Sequence, residues 1–392
     1  MRSTPVHLLR GAPVNLQRVA VSTAFFCQGF AFAALITRIP AIQDQFNFSE
    51  GGLAMILAGV PILAGVGSVL AGLLAVRFHS AVVLRVCALI VAGGLVAVGA
   101  ATTSGSFPGL LVALALMGFG LGSVDATMNM QGIGVQAQVG RSVMASFYAW
   151  WSLATILGAL AASVAAATSL SLLAFFAIVA VVLIPVGLLA STRFVRSHEA
   201  DAAAPDPLAA SAAVPWRPLL VFGFAVVLAF IIDSSVSNWS ALDLTDVLGA
   251  TESVAALAYA AYALFMLIGR MFADHLVGRK GAQWLITAGG LLAAVGLVVV
   301  AAAPSAIVAI VGFAIVGLGI SPVLPMAFVA ASHHDPRHTG IAVARVNVGN
   351  YIGFVIGAPL VGVIGEFSSL RVGFAVLVAA ALGIAVMARS FD

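Results

Sequence analysis

Residues Gly118–Gln136 read GFGLGSVDATMNMQGIGVQ, and this stretch decides how the chain is interpreted. It is mostly apolar or glycine, yet it carries a carboxylate in its middle. On a helix its glycines and polar residues share one stripe, because they recur every three or four positions: Gly118, Gly122, Asp125, Asn129, Gly132 and Gln136. A carboxylate inside a bilayer costs roughly 2.5–3.5 kcal/mol on insertion scales. The stripe therefore predicts a membrane helix whose polar face meets other helices or a water-filled path.

The composition of the whole chain agrees with a membrane protein. Of 392 residues, 62% are hydrophobic and 8% are charged, whereas soluble domains carry about 25% charge. A span needs about 20 apolar residues. We predict an all-α integral membrane protein with twelve spans, at roughly 19–37, 51–76, 82–101, 108–132, 142–166, 169–190, 217–239, 252–273, 282–303, 305–331, 340–363 and 370–389.

One connection is longer than the others and divides the spans into two sets of six. Residues 191–215 mix charge, alanine and proline, which is typical of a flexible linker. We therefore predict an N-terminal six-helix bundle at 1–190, a cytoplasmic linker, and a C-terminal six-helix bundle at 216–392. The two halves echo each other weakly, as in Gly120-Leu121-Gly122 and Gly317-Leu318-Gly319, and such repeats are typical of transporters.

The positions of Lys and Arg predict the topology. If both termini are cytoplasmic, fifteen of the seventeen basic residues fall on the cytoplasmic side, and only Arg38 and Arg371 fall outside. This bias follows the positive-inside rule. It predicts a multi-pass protein of the plasma (inner) membrane with both termini in the cytoplasm.

A motif after predicted span 8 resembles a known family. Gly269, Asp274, Gly278, Arg279 and Lys280 match the signature loop of the major facilitator superfamily. Its counterpart after span 2 is degraded, because it lacks the acid and the Gly-Arg pair. We expect Gly278 to permit a tight turn and Asp274 to pair with the basic cluster. Together with Arg270, these residues form a predicted conformational latch at the membrane edge.

The resemblance implies the fold and the mechanism of that superfamily. Two pseudo-symmetric bundles would enclose a central site and rock about it, as expected of a secondary active transporter that works by alternating access. Within the superfamily, Asp125–Gln131 and Thr37–Ile42 look like the bacterial branch near the fucose permeases and their uncharacterised inner-membrane relatives. That branch favours sugars or sugar-like compounds as substrates.

Two carboxylates inside predicted spans are candidates for proton coupling. Asp125 is expected below the middle of span 4 and Asp233 above the middle of span 7. A proton symporter needs acids that take up and release a proton, which favours this role. The alternatives are a structural acid at Asp125, held by neighbouring helices, and a wet outer vestibule around Asp233.

Polar and aromatic residues within spans are candidates for substrate binding. They are Gln28, Asn129, Tyr148, Trp150, Trp151, Asn347, Asn350 and Tyr351. Trp150 and Trp151 lie too deep for the interfacial aromatic belt, and since adjacent helical residues point in different directions, at most one is expected to line the cavity. Each polar group could instead hold helices together through a hydrogen bond worth about 0.6 kcal/mol.

These features predict proton-coupled uptake of a small polar solute by a monomer in the lipid bilayer. The alternatives are proton-coupled efflux of amphipathic compounds and, in another class, a receptor or scaffold on a transporter fold. Span 5 lacks the Gly-Pro pair of the antiporter signature, which disfavours drug efflux. The residues predict no enzyme activity, no cofactor, no metal site and no nucleic-acid partner.

Overall fold

The computed structural model describes residues 13–48, 50–195 and 206–391. Within these ranges every regular element is a helix, and twelve helical segments are long and apolar enough to cross a membrane. The all-α prediction is confirmed. The helices are α1 (Val14–Ile36), α2 (Ile39–Phe46), α3 (Glu50–Phe78), α4 (Ser80–Ser104), α5 (Phe107–Val139), α6 (Met144–Ala167), α7 (Leu172–Ser191), α8 (Pro207–Ala213), α9 (Trp216–Leu242), α10 (Glu252–Lys280), α11 (Ala282–Ala301), α12 (Ala306–Ile320), α13 (Val323–Ser332), α14 (Ile341–Phe367) and α15 (Leu370–Met387).

Several helices extend beyond the spans predicted from hydrophobicity. Helix α5 continues to Val139, and α9 continues through a π-helical turn to Val247. Backbone hydrogen bonds do not stop where the apolar side chains end, so hydrophobicity alone underestimates these helices. As a result, Asp125 and Asp233 both lie closer to the middle of their helices than the sequence suggested.

The predicted linker is partly ordered. Residues 196–205 lie outside the described part of the chain, but the residues that follow form α8. Arg345 of α14 holds the end of this helix, because its Nη1 donates to the carbonyl of Val214 at 2.5 Å and its Nη2 donates to the carbonyl of Ser211 at 2.7 Å. A guanidinium is well suited to a helix C-terminus, where carbonyl groups lack helical partners. The prediction of a wholly flexible linker is therefore wrong for this segment.

Helix packing repeats between the first half (α1–α7) and the second half (α9–α15). In the first half, α1 packs on α6, α3 and α4 pack on α5, and α4 packs on α7. In the second half, α9 packs on α14, α10 and α11 pack on α12, and α11 packs on α15. Each of these pairs is six spans from its counterpart. The halves meet through α3 with α14 and through α6 with α10, which are also counterparts.

Glycines of the opening stretch let α3 and α5 come into backbone contact. A Cβ atom on Gly118 would lie 2.6 Å from the Val60 carbonyl oxygen, and one on Gly122 would overlap the Ala64 backbone. Close approach of this kind supplies the van der Waals packing that holds helices together in a bilayer. The glycine stripe therefore faces another helix, as predicted.

Gly122→Val is expected to lower thermal stability strongly, because the new side chain would collide with backbone that cannot move aside. Overpacking typically costs about 1–3 kcal/mol, and a backbone clash lies at the upper end. Gly93→Val is the matched control, since a Cβ at Gly93 meets nothing within 4 Å. Heating the detergent-solubilised proteins and following the folded fraction by size-exclusion chromatography measures the effect. Equal losses in both variants would contradict this account of α3–α5 packing.

Candidate functional site

Asp125 joins the two halves of the molecule at mid-membrane. Its Oδ1 accepts a hydrogen bond from Nε2 of Gln28 at 2.8 Å, and its Oδ2 accepts one from the hydroxyl of Tyr351 at 2.5 Å. Gln28 belongs to α1, whereas Tyr351 belongs to α14 in the second half. The carboxylate is half-buried. It therefore borders internal space while it bridges the halves.

Trp151 belongs to this polar cluster and Trp150 does not. The indole Nε1 of Trp151 donates to Oε1 of Gln28, so the amide of Gln28 connects the indole to Asp125. Trp150 is 47% exposed and meets the ring of Phe26 edge-on, with ring centroids 6.5 Å apart. The structure therefore distinguishes two residues that the sequence could not.

Asn129 holds the backbone next to Asp125 and connects it to α6. Its Nδ2 donates to the carbonyl of Asp125 at 2.9 Å, and its Oδ1 accepts from the hydroxyl of Tyr148 at 2.9 Å. The ring of Tyr148 stacks on Phe328 of α13, with centroids 6.4 Å apart. Both Asn129 and Tyr148 are buried. They support the site from the side of α5 and α6.

Asn347 and Asn350 lie at the seam between α3 and α14. Asn347 Nδ2 donates to Oγ of Ser68 at 3.1 Å, and that hydroxyl donates to the carbonyl of Ala344 at 3.0 Å. Asn350 Nδ2 donates to Oδ1 of Asn347 at 2.8 Å, and its own Oδ1 is buried without a hydrogen-bond partner. In this conformation Asn347 makes the contact across the seam, whereas Asn350 bonds to Asn347 within α14. Ser68 is a seam residue that the sequence did not reveal.

Asp233 lies in the second half with its own partner. Its Oδ1 accepts from the hydroxyl of Tyr262 on α10 at 2.5 Å. Tyr262 is buried and stacks on Tyr259, with centroids 5.9 Å apart. Sequence reasoning missed Tyr262, although a tyrosine amid the apolar residues of a predicted span was the available signal. Asp125 and Asp233 thus accept hydrogen bonds from different tyrosines.

Arg270 is buried at mid-membrane and not at the membrane edge. Its Nη1 donates to Oγ of Ser152 at 2.5 Å, and its guanidinium lies 5.3 Å from the ring centroid of Tyr148 and 5.8 Å from that of Trp151. Its side chain is only 6% exposed, and its Nε has no hydrogen-bond partner. The only cation among these central groups therefore crosses from α10 to α6.

The arrangement can change with one proton. An ionised carboxylate accepts hydrogen bonds only, so both donors on Asp125 fit its charged form. Once one oxygen carries a proton, it becomes a donor, and the hydroxyl of Tyr351 or the amide of Gln28 must turn or leave. Protonation would thus weaken a bond that joins the halves, whereas ionisation would strengthen it.

Some known proteins are related to this chain in sequence, and others have the same fold. A model of the Major Facilitator Superfamily matches residues 222–391. Membrane protein MosC of Rhizobium meliloti is 30% identical over 390 residues, which cover 98% of this chain and 91% of MosC. An uncharacterized MFS-type transporter of Yersinia pestis is 29% identical over 392 residues, which cover 99% of each chain.

The chain belongs to the major facilitator superfamily. Its fold matches the crystal structure of FucP in the outward conformation with a TM-score of 0.82 at 15% identity, covering 96% of this chain and 98% of FucP. It matches the proton:xylose symporter XylE, bound to 6-bromo-6-deoxy-D-glucose, with a TM-score of 0.72 at 16% identity, covering 95% and 94% of the two chains. Its superfamily and its MFS-type relative make this protein a membrane transporter.

The signature loop of this transporter differs from the expectation in its local structure. Helix α10 continues to Lys280, so Gly278 lies inside the helix, and the turn falls at Gly281 with φ of 84°. The prediction of a turn at Gly278 is wrong, because Gly281 supplies the positive φ instead. Gly269 serves a different purpose, since it lets α10 approach the side chain of Ser321.

Asp274 acts across the two halves. Its Oδ1 accepts from Oγ of Ser142 at 2.7 Å and from the Ala145 amide at 3.1 Å, and its Oδ2 accepts from the Ser146 amide at 2.7 Å. An acid of the second half thus caps the N-terminus of α6 in the first, where free amides favour negative charge. Arg279 and Lys280 are exposed in the last turn of α10 and do not contribute to this cap.

The transporter is closed at one end. We call the end where α1 begins and α15 finishes the terminal end. Among the described residues, hydrogen bonds between the two halves lie from the level of Asp125 towards the terminal end. The glycine of the turn at Gly340 adds to the closure, because its α-carbon faces the side chain of Met130. The seams described here therefore seal the transporter on the terminal side of Asp125.

Trp151→Phe is expected to slow transport about two- to tenfold, the loss that corresponds to one net hydrogen bond. Phe keeps most of the ring but removes the Nε1 donor, so Gln28 is no longer held against Asp125. Trp150→Phe is the matched control, because its ring lies outside the cluster. Initial uptake rates of an accumulated solute in proteoliposomes measure the effect. Equal rates in the two variants would show that the Nε1 donor of Trp151 does not support the function of Asp125.

Proposed function

We propose that this transporter is a symporter that imports a small polar solute, a sugar or sugar-like compound, together with protons. The carrying observation is that Asp125 accepts hydrogen bonds from Gln28 in the first half and Tyr351 in the second. An acid that joins the two moving halves connects its protonation to their separation. A buried acid that contacts only one half could not link its protonation to the separation of the two halves.

The positions of the basic residues support one orientation of the transporter in the membrane. If the terminal end is cytoplasmic, as the positive-inside rule predicts for the inner membrane, the closed end faces the cytoplasm. The site is then reached from outside, where both a proton and a solute can enter. Protonation of Asp125 would loosen its bond to Tyr351 and favour opening of the terminal end. Release of the proton inside would restore that bond and return the transporter to the outward-facing state.

The chemistry of the central groups suits a hydroxylated ring. Amide, phenol and indole groups around Asp125 offer donors and acceptors for the hydroxyl groups of a sugar. The printed names of two structural neighbours support this class: FucP is a fucose:proton symporter and XylE is a proton:xylose symporter.

Proton movement that accompanies a solute provides the direct test. Cells that overproduce the transporter, suspended in weak buffer without oxygen, are supplied with fucose, xylose and a panel of other monosaccharides and cyclitols in turn. Entry of a solute with protons raises the external pH, and a protonophore abolishes that signal. We expect at least one member of the panel to give such a signal above that of cells carrying an empty vector.

Two outcomes would contradict the proposal. A solute that is accumulated without any external pH change, but only when sodium is present, would replace the proton by another ion. Acidification on entry of a solute would indicate exchange for protons and would favour the efflux alternative. Counterflow of the same solute in de-energised proteoliposomes confirms that the protein itself carries it.

A further inference from the structure

A groove within the first half lies apart from the central site. It runs between α1, α4 and α7, and its walls are mainly apolar, with small residues at Ala24, Ala88, Ala92, Ala180 and Gly187. Leu89 and Leu188 flank its mouth and are 41% and 38% exposed. Both helices at the mouth carry strongly hydrophobic spans, so the groove opens towards the bilayer core.

The groove exists because α4 and α7 approach each other closely at one end only. Away from the terminal end, Gly99 allows α4 to contact the backbone of α7, where a Cβ would lie 2.8 Å from the α-carbon of Leu173. Towards the terminal end, Ala88 and Gly187 line the groove without large side chains, and Pro185 removes a helical hydrogen bond from α7. A Cβ at Gly187 would meet nothing within 4 Å, which shows that the space there is unfilled.

A cation closes the groove at the terminal end. Arg85 lines it and spans from α4 to the end of α7, where its Nε donates to Oγ of Ser191 at 2.9 Å and its Nη2 donates to the Ser191 carbonyl at 3.2 Å. These contacts use two of the five N–H donors of a guanidinium. Arg193 is exposed immediately after α7. An apolar slot that ends at arginine donors matches a lipid chain joined to an anionic headgroup.

We infer that this groove binds one acyl chain of an anionic phospholipid, with its phosphate at Arg85 and Arg193. The length supports this occupant. From Arg85 to Leu95 the lining of α4 rises about 15 Å, which is about half of a hydrocarbon core ~30 Å thick. The slot therefore has the depth of one leaflet, and its charge lies where that leaflet has its headgroups.

The deep end of the groove reaches the back of the central site. Gln28 lines the groove and also donates to Asp125. A chain seated in the slot packs against the helix face that carries Gln28, and so restricts the motion of this amide. The lipid would act as a structural support of the site and not as a transported solute.

Photo-crosslinking tests the inference on the full-length protein. Proteoliposomes of phosphatidylcholine receive a small fraction of phosphatidylglycerol with a diazirine near the end of one acyl chain, and illuminated protein is mapped by peptide mass spectrometry. We expect crosslinks on groove residues of α4 and α7. Gly187→Leu fills the free space and should remove them. Gly93→Leu is the matched control, because it adds the same side chain to the exposed face of α4, also without a contact within 4 Å.

Arg85→Gln tests the headgroup separately. It should lower labelling by the phosphatidylglycerol probe about fivefold, as expected for one lost basic contact near the surface. Labelling by a phosphatidylcholine probe with the same chain should fall much less, because its choline offsets the charge of the phosphate. Crosslinks that persist in Gly187→Leu, or that spread evenly over the lipid-facing surface, would overturn the acyl-chain site. Equal labelling of wild type and Arg85→Gln by phosphatidylglycerol would overturn the role of the phosphate. Size-exclusion profiles verify that each variant is folded.

Discussion

Proteoliposomes that contain the Asp125→Asn variant are expected to show no proton-driven accumulation of a transported solute, while exchange of that solute across the membrane continues. Asparagine keeps the size of the side chain and an oxygen that can accept from Gln28 or Tyr351. It cannot take up a proton, so a proton gradient no longer drives the cycle. Exchange needs only a loaded transporter that changes conformation, and this step does not require a proton to be released.

The measurement compares two assays on the same preparation. Uphill uptake under an imposed pH gradient should fall to the equilibrium level, and counterflow at equal pH should remain measurable. Asp246→Asn is the matched control, because Asp246 is exposed after α9, far from the cluster. Asp233→Asn is expected to behave like Asp125→Asn if both acids take part in coupling. Undiminished accumulation in Asp125→Asn would refute the coupling role assigned to Asp125.

Asp274→Ala is expected to open the terminal end. The carboxylate accepts three hydrogen bonds from the start of α6, at 2.7, 3.1 and 2.7 Å, and these hold α10 against α6. Hydrogen bonds to a charged group contribute about 1.5–3 kcal/mol each, and water replaces part of that when the end opens. A net loss near 3 kcal/mol would shift the balance between closed and open forms about 100-fold towards the open form.

Thiol labelling measures this shift. Val343→Cys places a thiol at a buried position of the terminal end, where Val343 is 2% exposed, after Cys27 and Cys87 have been replaced by alanine. A membrane-impermeant maleimide should react with this thiol much faster when Asp274→Ala is present. Asp44→Ala serves as the control, because Asp44 is exposed on α2 at the opposite end. Equal labelling rates with and without Asp274 would show that the cap does not hold the end closed.

The sequence predicted the spans and the groups around Asp125 well, for physical reasons. Twelve apolar runs and one glycine stripe are strong periodic signals, and Asp125 stands out because a carboxylate is rare at that depth. The partners of Asp125 were among the candidates, yet nothing in one sequence indicates which of Trp150 and Trp151 faces inward. That choice depends on helix rotation, which packing between helices decides.

The sequence did not predict several other features of the site for the same reason. Tyr262, Ser68 and Ser152 are single polar residues in apolar runs, and a hydroxyl there more often satisfies its own helix than a distant partner. Arg270 was grouped with the latch because it follows Gly269, but one helical turn separates it from Asp274 and places it among aromatic rings of α6. Motif spacing along the chain did not reveal that difference in depth.

The two seams that close the terminal end are not equally strong, although they occupy equivalent places in the repeated architecture. The α6–α10 seam has a carboxylate on helix amides, whereas the α3–α14 seam has neutral bonds through Ser68 beside the packing of Gly72 on Ala344. Neutral bonds yield to water more readily than charge-assisted ones. We therefore expect the α3–α14 seam to separate first when the closed end opens. The α6–α10 seam should separate last in each transport cycle.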